Sequence, residues 1–152
     1  MLEVNVKLAG HTALDFDKKK MRRALRQIGG GVRKEARRLV ARRAVSQPGQ
    51  DPGRDSGTLS RSIKVKVFSS GMGAVVSPQK TAEMGDAFYP AFLVYGVRRD
   101  AKRRKDHQRQ VDNGKGWRMA PRNDFMMSAQ FKRSDVSKAA LMEALKDALK
   151  PR

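Results

Sequence analysis

The sequence predicts an α+β domain in which an antiparallel sheet of about four strands packs against a long basic N-terminal helix and a C-terminal helix. Three observations carry this. In 15–45, Met21, Leu25, Ile28, Val32, Ala36, Leu39 and Val40 recur in steps of three and four, which places them in one stripe on a helix. Several short runs alternate with a period of two, the signature of half-buried strands. Near the C-terminus, Val136, Ala140, Leu141, Ala144, Leu145, Ala148 and Leu149 return to helical spacing.

In chain order, Leu2, Val4, Val6 and Leu8 alternate with Glu3, Asn5 and Lys7, so a strand is expected up to Gly10. His11 stands alone and is read as a loop residue. The long helix follows, with Asp15 as N-cap and Asp17 in its first turn, where the helix dipole favours negative charge. Gly29, Gly30 and Gly31 interrupt it, each less favourable than Ala by about 1 kcal/mol. The apolar spacing does not slip across them, so one helix is expected, with a kink, a close helix–sheet contact or an assembly hinge at the glycines. The segment 46–57 is turn chemistry throughout and reads as a mobile loop.

Leu59, Ile63, Val65 and Val67 alternate with polar residues as a second strand, and 73–78 is close enough to be its hairpin partner. A short turn is expected at 82–86. The stretch 88–97 is the most apolar of the chain, with four of the eight Phe and Tyr residues. Pro90 argues against a central strand, so the stretch is expected to start as a helical turn, end as a strand and fill the core. In 98–116, eight Lys or Arg stand against three Asp with almost nothing apolar, which suits a projecting hairpin or mobile loop. Trp117, Met119 and Ala120 form the strand that pairs back, and Pro121 ends it. After the apolar run 125–131, Ser134 is the expected N-cap of the last helix, which Pro151 stops. The whole of 1–152 is read as a single domain.

The chain of 152 residues is 39% hydrophobic and 32% charged, with a net charge of +19 and a pI near 11.1. That imbalance implies a polyanionic neighbour, either nucleic acid or an acidic protein surface. A membrane partner is not expected, because no apolar run reaches a membrane span and the basic helix lacks Trp or Phe along its stripe. The charged alternation of 1–10 is not that of a signal peptide. The sequence has no Cys, which removes disulfides and thiolate chemistry and makes folding in a cytoplasm the expectation. No catalytic constellation is legible. His11 and His107 without Cys do not make a metal cluster, the triple glycine lacks the Lys-Ser/Thr of a phosphate loop, and no paired carboxylates share a helix face. Neither catalytic residues, metal nor cofactor is therefore expected. A nucleic-acid contact would go to phosphates, since the basic runs hold no interleaved aromatics for stacking apart from Trp117 beside one of them.

Three motifs line up in order with a known family. Gly57-Thr58-Leu59-Ser60-Arg61-Ser62-Ile63 resembles the Thr-Gly-x-Leu-x-x-Ser-Ile entry to the sheet in small phage neck and tail-completion proteins. The segment from Tyr89 through Gly96 to Val97 is similar to their Tyr-Ala-x-x-Val-Glu-x-Gly-Thr, and Pro121, Arg122 and Phe125 fall as in their Pro-x-Arg-Pro-Phe-Leu turn before a closing helix. The resemblance spans 15–149. Gly57-Thr58 reverses the family order, Tyr95 and Val97 stand where the family has Glu and Thr, and Asn123-Asp124 stand where it has Pro. The subfamily is thus open between a tail-completion protein of the lambda minor tail protein Z type, a tail terminator and a head–tail joining ring. The resemblance implies a structural virion protein without catalysis, assembled in the bacterial host cytoplasm as a homo-oligomeric ring such as a hexamer. Its partners would be neck, connector and tail-tube proteins, with phosphate-backbone contact to DNA in the channel. Arg98, Arg99, Lys102, Arg103, Arg104, Lys105 and Arg109 are the expected partner-facing residues. The competing reading is a basic nucleic-acid-binding protein of ribosome- or nucleoid-associated type.

Overall fold

A computed structural model describes residues 15–85, 88–100 and 115–150. The expected strand at 2–8, His11, the basic stretch 101–114 with Lys102, Arg103, Arg104, Lys105 and Arg109, and Pro151 lie outside the described residues. The element order is β1 (Asp15–Phe16), α1 (Lys18–Leu39), α2 (Thr58–Ser62), β2 (Ile63–Val67), β3 (Ala74–Pro78), a 3-10 turn (Ala82–Met84), α3 (Tyr89–Tyr95), β4 (Val97–Arg99), β5 (Lys115–Met119), α4 (Phe125–Ala148) and β6 (Leu149–Lys150).

The domain is mixed helix and sheet with a long N-terminal and a long C-terminal helix, but among the described residues the single sheet of about four strands does not form. The described strands make three separate antiparallel pairs: β1 with β6, β2 with β3, and β4 with β5. The hairpin β2–β3 is regular, with Val65 opposite Val76. The β4–β5 pair carries two register shifts, and such irregularities bend and twist a ladder locally. A three-residue β4 so distorted offers no straight edge on which the hairpin could extend.

Helix α1 starts later than its sequence suggests. Asp15 sits in β1, and Asp17 is the N-cap, its Oδ1 accepting from the amides of Lys19 at 2.9 Å and Lys20 at 3.1 Å. It also ends earlier, at Leu39 rather than near Val45. Beyond it the chain turns so that the Arg42 carbonyl accepts from the Arg54 amide at 2.8 Å, and Gly53 packs against the Ala44 carbonyl, where a Cβ would lie 1.9 Å from the oxygen. The returning loop thus takes up carbonyls that a longer helix would need. The triple glycine leaves the helix unbroken, and its first member makes a close helix–sheet contact. A Cβ on Gly29 would stand 2.6 Å from Val65 Cγ1 and one on Gly31 3.0 Å from the Arg133 guanidinium, whereas one on Gly30 would meet nothing within 4 Å.

Helix α4 differs from expectation in the same way. Its N-cap is Asp124, whose Oδ1 accepts from the amides of Met126 at 3.0 Å and Met127 at 3.1 Å, and Ser134 lies mid-helix. The run 125–131 therefore belongs to the helix. The helix packs antiparallel on α1. Ion pairing of Glu35 with Lys132 ties one end, and the Asp17 amide donating to the Ala148 carbonyl at 2.9 Å ties the other. The core is the cluster of Ala36, Val40, Leu59, Ile63, Phe125 and Ala129, with Tyr89, Leu93 and Val94 of α3 packed against it. Leu59, expected in a strand, enters this core from α2. The helical start and strand end of 88–97, the β2–β3 hairpin and the return strand at Trp117 all form as read.

The loop 46–57 is tied down at several points. The Gly49 amide donates to the Pro121 carbonyl and the Asn123 amide to the Gln50 carbonyl, the Arg122 Nε donates to Ser46 Oγ at 2.9 Å, and Pro52 is fully buried. Two carboxylates brace the outside. Glu35 forms a two-point pair with Arg38, at 2.7 and 2.9 Å. Glu83 Oε2 accepts from Arg61 Nη2 and from Thr58 Oγ1, each at 2.7 Å. These hydrogen bonds hold both carboxyls below the ordinary Glu range, while burial lifts the Tyr89 phenol above its ordinary value.

Gly29→Ala is expected to destabilise by about 1–3 kcal/mol, because the stiff Val65 must move, whereas Gly30→Ala is expected to stabilise by up to about 1 kcal/mol. Phe125→Ala is expected to cost about 3–5 kcal/mol; urea unfolding of the three variants checks all these values. Because Glu35 and Glu83 bind protons less readily folded than unfolded, their contribution is present above the ordinary Glu pKa and lost as pH falls through the depressed folded values. Melting temperature should therefore decline in a series taken downward from about pH 5, and less steeply in E35Q/E83Q.

Candidate functional site

The described surface separates into regions of different chemistry. Within α1, ten Lys and Arg stand against one Glu, and that Glu is engaged by Arg38 and Lys132. The buried stripe of α1 takes up the side toward α4 and the hairpin, so these cations crowd the remaining sector. Helix α4 is close to neutral, with Lys132, Arg133, Lys138 and Lys146 against Asp135, Glu143 and Asp147.

What α4 exposes instead is apolar. Phe131 is 85% exposed, Met127 69% and Met142 66%, with Leu145 and Leu149 also open to solvent. At 100° per residue, these five fall within a sector of about 60°. Met127 and Phe131 form one patch near the start of α4 and Met142, Leu145 and Leu149 a second at its end, with Lys138 exposed in the same sector between them. The helical spacing of Val136, Leu145 and Leu149 predicts the apolar face of the last helix, yet all three are exposed. Phe125, Ala129 and Ala148 are the buried residues of α4, and beyond its first two turns the large apolar side chains Val136, Met142 and Leu145 are left on the outside. The signal in the sequence is the three- and four-residue steps Met127–Phe131 and Met142–Leu145–Leu149, but two apolar faces on one helix cannot be ranked by spacing alone. Met127 also rims a groove of about 420 Å³ between α1, β3 and α4, lined by Leu25, Ile28, Val32, Val76 and Leu141. The apolar surface of the groove is therefore continuous with the first patch.

Of the seven expected partner-facing cations, Arg98 and Arg99 are described. Arg99 is exposed. Arg98 is half-buried, with its guanidinium carbon 4.6 Å from the centre of the Trp117 ring, a cation–π contact across β4–β5. The motif residues shared with the phage proteins gather at the core and at its entrances. Leu59, Ile63 and Phe125 meet in the central cluster, and Tyr89 packs on it. Ser62 is buried and donates to the Leu59 carbonyl at 2.7 Å. Gly57 starts α2 with φ 81°. Gly96, with φ 74°, lies where a Cβ would be 2.7 Å from Trp117 Cζ3 and 2.9 Å from the Met119 carbonyl. Pro121 is half-buried; the Arg122 amide donates to the Leu93 carbonyl at 2.7 Å, and its side chain holds Ser46 and the Ala120 carbonyl. These positions build the scaffold.

Two further openings are lined by arginines. One, of about 640 Å³, lies between the start of loop 46–57 and α3, with Arg43, Arg54, Arg122 and Asp55 around it. The other, of about 350 Å³, lies between α1 and β2, lined by Arg26, Gly30, Arg33, Val65 and Val67. Among the described residues no group of three His, Asp or Glu is placed to hold a metal ion, and no helix is long and apolar enough to cross a membrane. In comparison with known proteins, no family model matches the chain, and no curated protein or solved structure matches it.

Proposed function

We propose that this protein is a structural component of a tailed-phage particle that completes the tail or joins it to the head, working through its surface as one subunit of a ring. The observation that supports this reading best is the exposure of Met127, Phe131, Met142, Leu145 and Leu149 along one side of a near-neutral helix of an otherwise strongly basic chain. Large exposed apolar side chains clustered on one side of a helix, here two patches divided by Lys138, are the ordinary mark of a protein–protein interface. Because α4 is close to neutral, a neighbouring subunit can approach these side chains without meeting the charge density carried by α1. The basic sector of α1, with Arg99 exposed at the end of β4, would face acidic connector or tube surfaces, where charge complementarity governs docking rate and partner choice. The motif resemblance points the same way and concerns the scaffold residues.

The alternative, a nucleic-acid-binding protein of ribosome- or nucleoid-associated type, is favoured by the charge alone. It requires nanomolar affinity that survives physiological salt. The structural reading requires only the weak, sequence-independent binding typical of a basic surface.

Replacing Met127, Phe131 and Met142 with Ser or Gln is expected to leave the melting temperature near wild type, since all three are exposed, and to prevent co-purification with portal and tube proteins. Replacing Arg98, Arg99, Lys102, Arg103, Arg104, Lys105 and Arg109 with Ser is expected to leave the fold intact but abolish neck or tail attachment. A normal yield of tailed virions from either variant would remove the proposal.

A further inference from the structure

The cations of α1 are not scattered evenly. Arg22, Arg26, Arg33 and Arg37 fall within about 60° of one another around the helix axis and form a row about 22 Å long. The row runs beside the hairpin. The Arg22 side chain lies against Gly71 in the turn beyond β2, Arg26 and Arg33 flank Val65 and Val67, and Arg37 Nη2 donates to the Ile63 carbonyl at 3.2 Å where β2 begins. All four are arginines, whose planar guanidinium meets phosphate oxygens in a two-point geometry that lysine cannot offer.

Between Arg26 and Arg33 the row opens into the cleft of about 350 Å³. Its helical wall is Gly30, where a Cβ would meet nothing within 4 Å. Gly29 has a packing reason to be glycine and Gly30 has none, so its missing side chain leaves space open between two cations. Arg22, Arg26 and Arg33 have no ion pair or hydrogen bond among the described residues, and the Nε atoms of Arg22 and Arg37 are buried without a partner. The carboxylate of α1, Glu35, is held on the α4 side by Arg38 and Lys132. A row of four arginines, the outer two each with a buried Nε and the inner two bordering an open cleft without a carboxylate partner, is a ready seat for an anion.

We propose that the α1–β2 cleft seats a backbone phosphate of double-stranded DNA between Arg26 and Arg33, with Arg22 and Arg37 tracking the same backbone on either side. A row of this length suits a linear polyanion, because a single phosphate or mononucleotide can reach at most two of its members. The cleft itself is lined by arginine, glycine and valine, with no aromatic on which an unstacked base could lie. That favours a duplex, whose bases remain paired, over a single strand. The contact reads no sequence, since it goes to phosphate. It does not depend on the neck role proposed above: a basic joint could lack this cleft contact, and the contact could occur in a protein without that role.

The test is binding of the full chain to a short mixed-sequence duplex over a salt series, beside two charge variants and one shape variant. R26Q/R33Q, at surface positions, is expected to weaken binding roughly tenfold or more at low salt and to reduce the salt slope by about 2, since each lost phosphate contact removes about one. K138Q/K146Q removes the same charge from α4 and is expected to leave the slope unchanged. Gly30→Leu keeps every charge and favours the helix, yet fills the cleft, and is expected to weaken binding several-fold with a melting temperature no lower than wild type. The proposal is overturned if the two charge variants lose affinity equally, if Gly30→Leu binds as wild type does, if the wild-type chain does not bind duplex at low salt, or if anionic phospholipid vesicles are bound more tightly than DNA with the same dependence on Arg26 and Arg33.

Discussion

The close approach of α1 to its neighbours on both sides is the constraint on which the rest of the domain depends. On the hairpin side, Gly29 lets the helix backbone come so near Val65 that a single added carbon would overlap it. On the α4 side, Ala36 and Ala129 are both fully buried, and Gly31 gives room to the Arg133 guanidinium. Small residues at these contacts let one helix serve two partners and close the core around Phe125 and Ile63. Protein interiors tolerate neither gaps nor overlaps of a methyl group without cost, so the position of α1 is sharply determined.

The distribution of charge follows from that packing. A helix buried along two neighbouring sides has one wet sector left, and the ten cations of α1 have to share it. The positive face is therefore held on a rigid element, at a fixed angle to the hairpin. Helix α4 buries Phe125 and Ala129 near its start, and its later large apolar side chains, Met142 and Leu145 among them, remain exposed. One scaffold thus carries a basic surface on α1 and exposed apolar side chains on α4, which suits the proposed role as a joint between unlike neighbours.

Much of this was legible in the sequence, and the failures have physical causes. The stripe of α1 was readable because a long amphipathic period leaves little ambiguity, and the hairpin was readable from alternation across a short turn. The caps were displaced by tertiary contacts. Asp17 replaced Asp15 because Asp15 is drawn into a pairing with the chain after α4, and Asp124 replaced Ser134 because 125–131 belongs to the core contact with α1. The four-stranded sheet failed because strand alternation carries no information about which edges meet. The exposed apolar side chains of α4 were misassigned because Leu145 and Leu149 have the composition of a core face. Only the fold, which buries Phe125 and Ala129 instead, leaves them outside. The cleft at Gly30 could not be found from sequence, since three consecutive glycines look alike until their neighbours are known.

The central claim is that this domain acts by presenting surfaces, with the apolar patches of α4 covered by a neighbour in the assembled particle. Oxidative footprinting of methionines, in the free chain and in assembled tailed particles, tests it most directly. Met127 and Met142 are exposed in the free chain, whereas Met21 and Met84 are buried and serve as internal references. The account expects Met127 and Met142 to oxidise readily in the free chain and to be protected in the particle, with Met21 and Met84 slow in both. Equal oxidation of Met127 and Met142 in the free and assembled states, or absence of the chain from the particle, would contradict it.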